Sequence, residues 1–120
     1  MDAERIILSA MWIALMLTYL LGDVLRIFAG DFIAGQIEGQ QATQMMWMAA
    51  ALLMLIPIMM LVMALVLPHD INRWVNIIAA GALFLLNVMS VNSYPSLFDR
   101  FLIVVGLVFN VVIILYAWNW

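Results

Sequence analysis

Four long apolar stretches, separated by short polar punctuation, organise this chain. They run roughly Ile6–Phe28, Thr43–Leu67, Ile71–Val91 and Leu97–Ala117, each close to the about 20 residues that a helix needs to cross the hydrocarbon core of a bilayer. The pattern predicts an all-α fold, a single transmembrane domain over residues 1–120 built as a four-helix bundle of up-down topology. The punctuation carries helix signals of its own. Asp2 is placed to cap the first helix, Pro68 stops the second, Asp70 is placed to cap the third, and Pro95-Ser96 followed by Asp99 has the spacing of a capping box for the fourth. Links of a few residues make helices two and three, and three and four, antiparallel neighbours. The longer link DFIAGQIEGQQ, residues 31–41, cannot span, but its Phe32, Ile33 and Ile37 suit an interface. It reads as an ordered or interfacial loop, either a plain connection or a lid over one end of the bundle.

Polar residues inside the apolar stretches fall on stripes. Trp12, Met16, Tyr19, Asp23 and Arg26 are spaced by alternating fours and threes, which stacks them on one face of the first helix. Asn76, Ala80, Leu83, Asn87, Ser90 and Tyr94 do the same on the third, and Gly106, Asn110, Ile113 and Ala117 on the fourth. An amide or ion facing lipid is unfavourable, so these stripes are expected to face inward as a polar seam. The plain account is cohesion: small residues let backbones approach, and Asn or Ser hydrogen bonds tie helices at about 0.6 kcal/mol each. The functional account makes Tyr19, Asp23, Arg26, Asn87, Ser90 and Asn110 the polar lining of a ligand pocket in the half of the membrane away from the termini. Asp23 is the sharpest candidate, although Arg26 one turn on offers it a local salt bridge and can also snorkel to water.

Composition narrows the class. Of 120 residues, 69% are hydrophobic and only 9% charged, against roughly half and a quarter in soluble domains. The first apolar run is longer than a signal-peptide core and lacks a small-residue cleavage site, so it is expected to be a span of the mature chain. The absence of Cys excludes thiol catalysis and thiolate metal sites. A net charge of −3 with four Lys and Arg leaves no basic patch for nucleic acid. His69, a single His without Cys, cannot supply the two axial ligands of a bis-His haem, and no metal or cofactor is expected. The eleven Met are scattered as flexible packing. Pro57 is expected to kink the second helix.

Arg73 with Trp74, and Trp118 with Trp120, read as anchors at one membrane interface. Positive charge does not orient the chain, because Arg5 and Arg73 balance Arg26 and Arg100. Arg100 stands next to Asp99, and the first loop carries Asp31 and Glu38, which favours cytoplasmic termini.

Trp12 with Tyr19 and Asp23, Ile56-Pro57-Ile58-Met59, Asn72-Arg73-Trp74 with Asn76-Ile77-Ile78-Ala79, and the closing Tyr116-Ala117-Trp118-Asn119-Trp120 resemble the small prokaryotic four-helix membrane proteins of domain of unknown function 6326. The resemblance spans nearly the whole chain. It implies a four-helix membrane fold and no particular chemistry. Relatives often carry a Glu where this chain has Leu55 and an acidic residue near Gly106, so any carboxylate path that they possess is incomplete here.

Three functions fit these features. The first is an accessory or scaffold bundle, alone, as a homo-oligomer or with a membrane-protein partner. The alternative is a binder or carrier of a quinone, isoprenoid or lipid, with the polar seam as its polar tip. The third is a membrane enzyme, for which only Asp23 with Tyr19 or Arg26 could supply acid–base chemistry.

Overall fold

The computed structural model describes residues 3–31, 33–37, 40–94 and 96–120. The sequence readings that used Asp2, Phe32, Glu38, Pro95 and the side chain of Ile37 lie outside the described residues. Four helices make up the bundle: α1 (Ala3–Ala29), α2 (Gln44–Val66), α3 (His69–Ser90) and α4 (Leu97–Trp118). A 3-10 turn, Val91–Ser93, follows α3. The first loop holds a small antiparallel ladder, β1 (Gln36–Ile37) with β2 (Gln40–Gln41), pairing Gln36 with Gln41 and Ile37 with Gln40. At about 1.5 Å per residue the helices are about 33–40 Å long, and all four are long and apolar enough to cross a membrane.

Local chemistry sets the helix ends. Gly30, at φ +79°, adopts the left-handed conformation that lets Asp31 N–H reach Arg26 O at 3.0 Å and Gly30 N–H reach Ile27 O at 3.2 Å. This is a Schellman cap, and it turns the chain sharply out of α1. Thr43 caps α2 by accepting from Met46 N at 3.2 Å. Two expected caps differ. Asp70 lies within the first turn of α3, because Pro68, with φ fixed near the helical value at −58°, occupies the capping position and lets the helix start at His69. Ser96 does flank the start of α4, but no capping box forms. Its hydroxyl donates to the Asp31 carboxylate, while the Asp99 carboxylate accepts from Arg26.

α1 packs along both α2 and α4, and α3 packs along α4. α2 and α3, joined by only Leu67 and Pro68, approach each other far less. A short link forces antiparallel direction and proximity at one end, but it does not force side-by-side packing along the full length. α1 and α3 have no close backbone approach among the described residues and therefore face each other across the bundle. The core between them contains Leu8, Trp12, Leu15, Met60, Ala64, Ala80, Leu83, Ile113 and Ala117. On α2 no residue before Pro57 is buried, so half of this helix contributes little to the core. The first turn of α1 lies beside the last residue: the Arg5 guanidinium sits 5.4 Å from the Trp120 ring centre.

Candidate functional site

The stripes meet in the bundle interior as two polar groups, one in each half. In the half near the termini, every buried side-chain amide finds partners. Pro68 has no N–H, so the carbonyl four residues earlier, Ala64 O, lacks its helical donor; Asn72 Nδ2 donates to it at 2.8 Å. Asn76 Nδ2 donates to Asn72 Oδ1 at 2.6 Å and to Asn72 O at 2.7 Å, and Trp12 Nε1 donates to Asn76 Oδ1 at 2.7 Å. Ser9 Oγ adds a bond to Leu61 O at 3.0 Å. One connected network thus ties α1, α2 and α3 where no water competes, and its satisfied members hold a unique packing.

In the other half, Asn87 Nδ2 donates across the bundle to the Tyr19 hydroxyl at 2.7 Å. The Tyr19 ring lies against Gly106, where an added Cβ would come within 3.3 Å of Cε1; the glycine lets α4 approach α1. Asn110 is fully buried, and its amide approaches the Tyr19 hydroxyl but completes no hydrogen bond. Ser90 Oγ turns back to Asn87 O on its own helix at 3.2 Å. Near the end of α1, Arg26 Nη2 donates to Asp23 Oδ1 at 2.7 Å and Arg26 Nε to Asp99 Oδ1 at 3.0 Å. The same guanidinium lies 4.8 Å from the Tyr94 ring centre. Beside this trio is a cleft of about 30 Å³ lined by Thr18, Tyr19, Gly22 and Arg26 of α1 and by Asp99, Leu102 and Ile103 of α4.

The remaining arginines hold helix ends. Arg5 donates to Leu67 O at 2.6 Å at the end of α2. Arg73 donates to Ala117 O at 3.1 Å and Trp118 O at 2.9 Å at the end of α4. A cation at a helix C-terminus satisfies orphan carbonyls and complements the dipole. The Arg73 guanidinium lies 5.5 Å from the Trp74 ring centre and 5.3 Å from that of Trp118, and the two rings meet edge-on at 6.1 Å. Trp120 stands edge-on to His69 at 4.7 Å. Arg100 Nε donates to Tyr94 O at 2.9 Å. All four arginines are thus engaged. Among the described residues, no group of three or more His, Asp or Glu is placed to hold a metal ion.

A family model described as a family of unknown function, DUF6326, matches residues 1–120. The chain belongs to that family. No match to a curated protein or to a solved structure accompanies it. Membership in DUF6326 assigns no activity, so the chemistry rests on the side chains.

The structure divides the six seam residues rather than gathering them into one pocket. Tyr19 and Asn87 form one pair, Asp23 and Arg26 belong to the trio with Asp99, Ser90 serves its own helix, and Asn110 stands unpaired. The Tyr19 hydroxyl accepts from Asn87, on the facing helix, although Tyr19 shares a stripe of α1 with Asp23 and Arg26. Sequence reasoning did not single out Ser9 or Gly22, read Asp99 only as part of a helix cap, and met Asn72 only within the family resemblance. Asn72 extends the Asn76 stripe by one turn and was findable by that spacing. Asp99 meets an arginine 73 positions away, which no local pattern signals.

Proposed function

We propose that this DUF6326 member is a non-catalytic membrane scaffold, a bundle whose polar seam holds helices together rather than a ligand. The observation that carries this reading is the way the interior is filled. At the level of Tyr19 and Asn87 a hydrogen bond crosses the bundle, and the seam retains a cleft of about 30 Å³, where drug-sized ligands need roughly 300–1,000 Å³. A larger groove of about 260 Å³ between α3 and α4 is lined only by Phe84, Val104, Leu107, Val108, Val111 and Val112. Such a groove suits an acyl chain of the surrounding bilayer but has no polar group to orient a quinone or isoprenoid head. The engaged arginines likewise leave no cation for an anionic substrate. Its setting is a prokaryotic inner or cell membrane with both termini cytoplasmic, and its partners are the bilayer and either a second copy or another membrane protein.

Solvent extraction and mass spectrometry of the protein purified into lipid nanodiscs should recover only lipids in the proportions of the supplied bilayer. A quinone, isoprenoid or single lipid species retained at one per chain would overturn the scaffold reading in favour of a carrier.

A further inference from the structure

Two carboxylates, Asp23 and Asp99, accept hydrogen bonds from the single guanidinium of Arg26. Their burial differs sharply. The Asp23 side chain is 46% exposed, whereas that of Asp99 is 2% exposed and its Oδ2 has no hydrogen-bond partner among the described residues. A bare carboxylate oxygen away from water is costly unless something positive or hydrogen-bonding meets it. Arg26 reaches only Oδ1, and neighbouring Arg100 directs its Nε to Tyr94 O. Beside Asp99 lies the cleft of about 30 Å³, room for one or two water-sized species. The hydroxyl-bearing residues Thr18 and Tyr19 stand on its wall.

The cleft depends on a glycine. A Cβ at position 22 would lie 3.4 Å from Arg26 Nη2, 3.6 Å from Leu102 Cδ1 and 3.8 Å from Asp99 Oδ1. It would occupy the space between these groups while making only ordinary contacts. Nothing in the steric environment of α1 otherwise requires glycine here.

We propose that this cleft is a binding site for one small monovalent cation of sodium's size, held at Asp99 Oδ2 and completed by water. Charge selects the class: two carboxylates against one guanidinium favour an added single positive charge and disfavour an anion. The two carboxylates and one guanidinium carry one net negative charge, which a monovalent cation neutralises and a divalent ion would overcompensate in a largely buried site. Access is available, because Gly22 lies within about 10 Å of the end of α1 by helical rise and Arg26 and Asp23 are partly exposed. The site is independent of the scaffold reading, since a cation this small could brace the end of a scaffold or of a carrier alike.

The test is thermal unfolding of the purified full chain in detergent at fixed pH, with sodium chloride replaced stepwise by choline chloride at constant ionic strength. Sodium should raise the Tm of the wild type saturably, by about 2–5 °C, and choline should not. Asp99→Asn and Gly22→Ala should each abolish the rise. Gly22→Ala keeps every charged group and decides the matter if Asp99→Asn does not fold. An identical wild-type Tm in sodium and choline would overturn the proposal, whether water or a proton then serves Oδ2, and so would an undiminished sodium response in Gly22→Ala.

Discussion

Asn76 and Asn110 are both fully buried amides, yet their surroundings make opposite predictions. Asn76 accepts from Trp12 Nε1 and donates to Asn72 Oδ1 and O, so removing it leaves an indole N–H and an amide oxygen unpaired where no water reaches. Asn110 completes no hydrogen bond, so its removal strands nothing. The penalty for a buried group left unsatisfied is about 1–3 kcal/mol, whereas replacing an unpaired amide by an apolar group of similar shape is neutral or favourable. Asn76→Leu should therefore lower stability by about 1–3 kcal/mol, and Asn110→Leu should leave it unchanged or raise it, as read by reversible unfolding in mixed detergent micelles. Equal losses in the two variants would contradict the assignment of Asn76 as a tie. The spacing of Asn76, Asn87 and Asn110 shows from sequence alone that they lie on inward stripes. Which amides are tied across the bundle could not be read there, because Trp12, which bonds Asn76, and Tyr19, which bonds Asn87, come from another helix.

Helix boundaries were legible to within a few residues wherever a chemical signal marked them, and the way helices pack was legible only in part. α3 and α4 each carry small and polar residues at a period near 3.6, and it is those faces that are buried; on α1 the buried line runs through Leu8, Trp12, Leu15 and Gly22, beside the expected stripe, and leaves Asp23 half-exposed. α2 is apolar all round, so nothing in its sequence identifies an inward face; the structure buries only Pro57, Met60 and Ala64. The brief link at Leu67–Pro68 suggested that α2 and α3 are intimate neighbours, but α2 instead takes α1 as its main partner. The ends of α2 and α4 depend on arginines from other helices, a dependence invisible in local sequence. Arg73→Ala should free Ala117 O and Trp118 O and fray the last turn of α4. Amide hydrogen exchange should quicken at residues 115–119 while remaining slow near Asn110. Unchanged exchange at that end would show that the aromatic contacts of Trp74 and Trp118 hold the turn without the guanidinium.

At the scale of the whole molecule, four spans fold back on one another, with the start of α1 and the end of α4 beside the α2–α3 link and the first loop at the opposite end. Arg5 reaching Leu67 O, Arg73 reaching Ala117 O and Arg5 stacking near Trp120 join the ends of all four helices at one end of the bundle. Arg26 meeting Asp99, and Asp31 meeting Ser96, join the other. Hydropathy alone made the four spans legible, since an apolar run of this length has few other uses. The two ends were harder to see, because the ion pairs and caps that close them link positions more than 40 residues apart. The whole arrangement requires an even number of crossings. Single cysteines introduced at Ala3, Gln40 and Asn119 into the cysteine-free chain, and probed with a membrane-impermeant thiol reagent on intact and on permeabilised cells, measure that number directly. The account predicts that Ala3 and Asn119 share one compartment, cytoplasmic in the proposed orientation, and that Gln40 reacts from the other. Ala3 and Asn119 labelling from opposite sides, or Gln40 labelling with them, would contradict it.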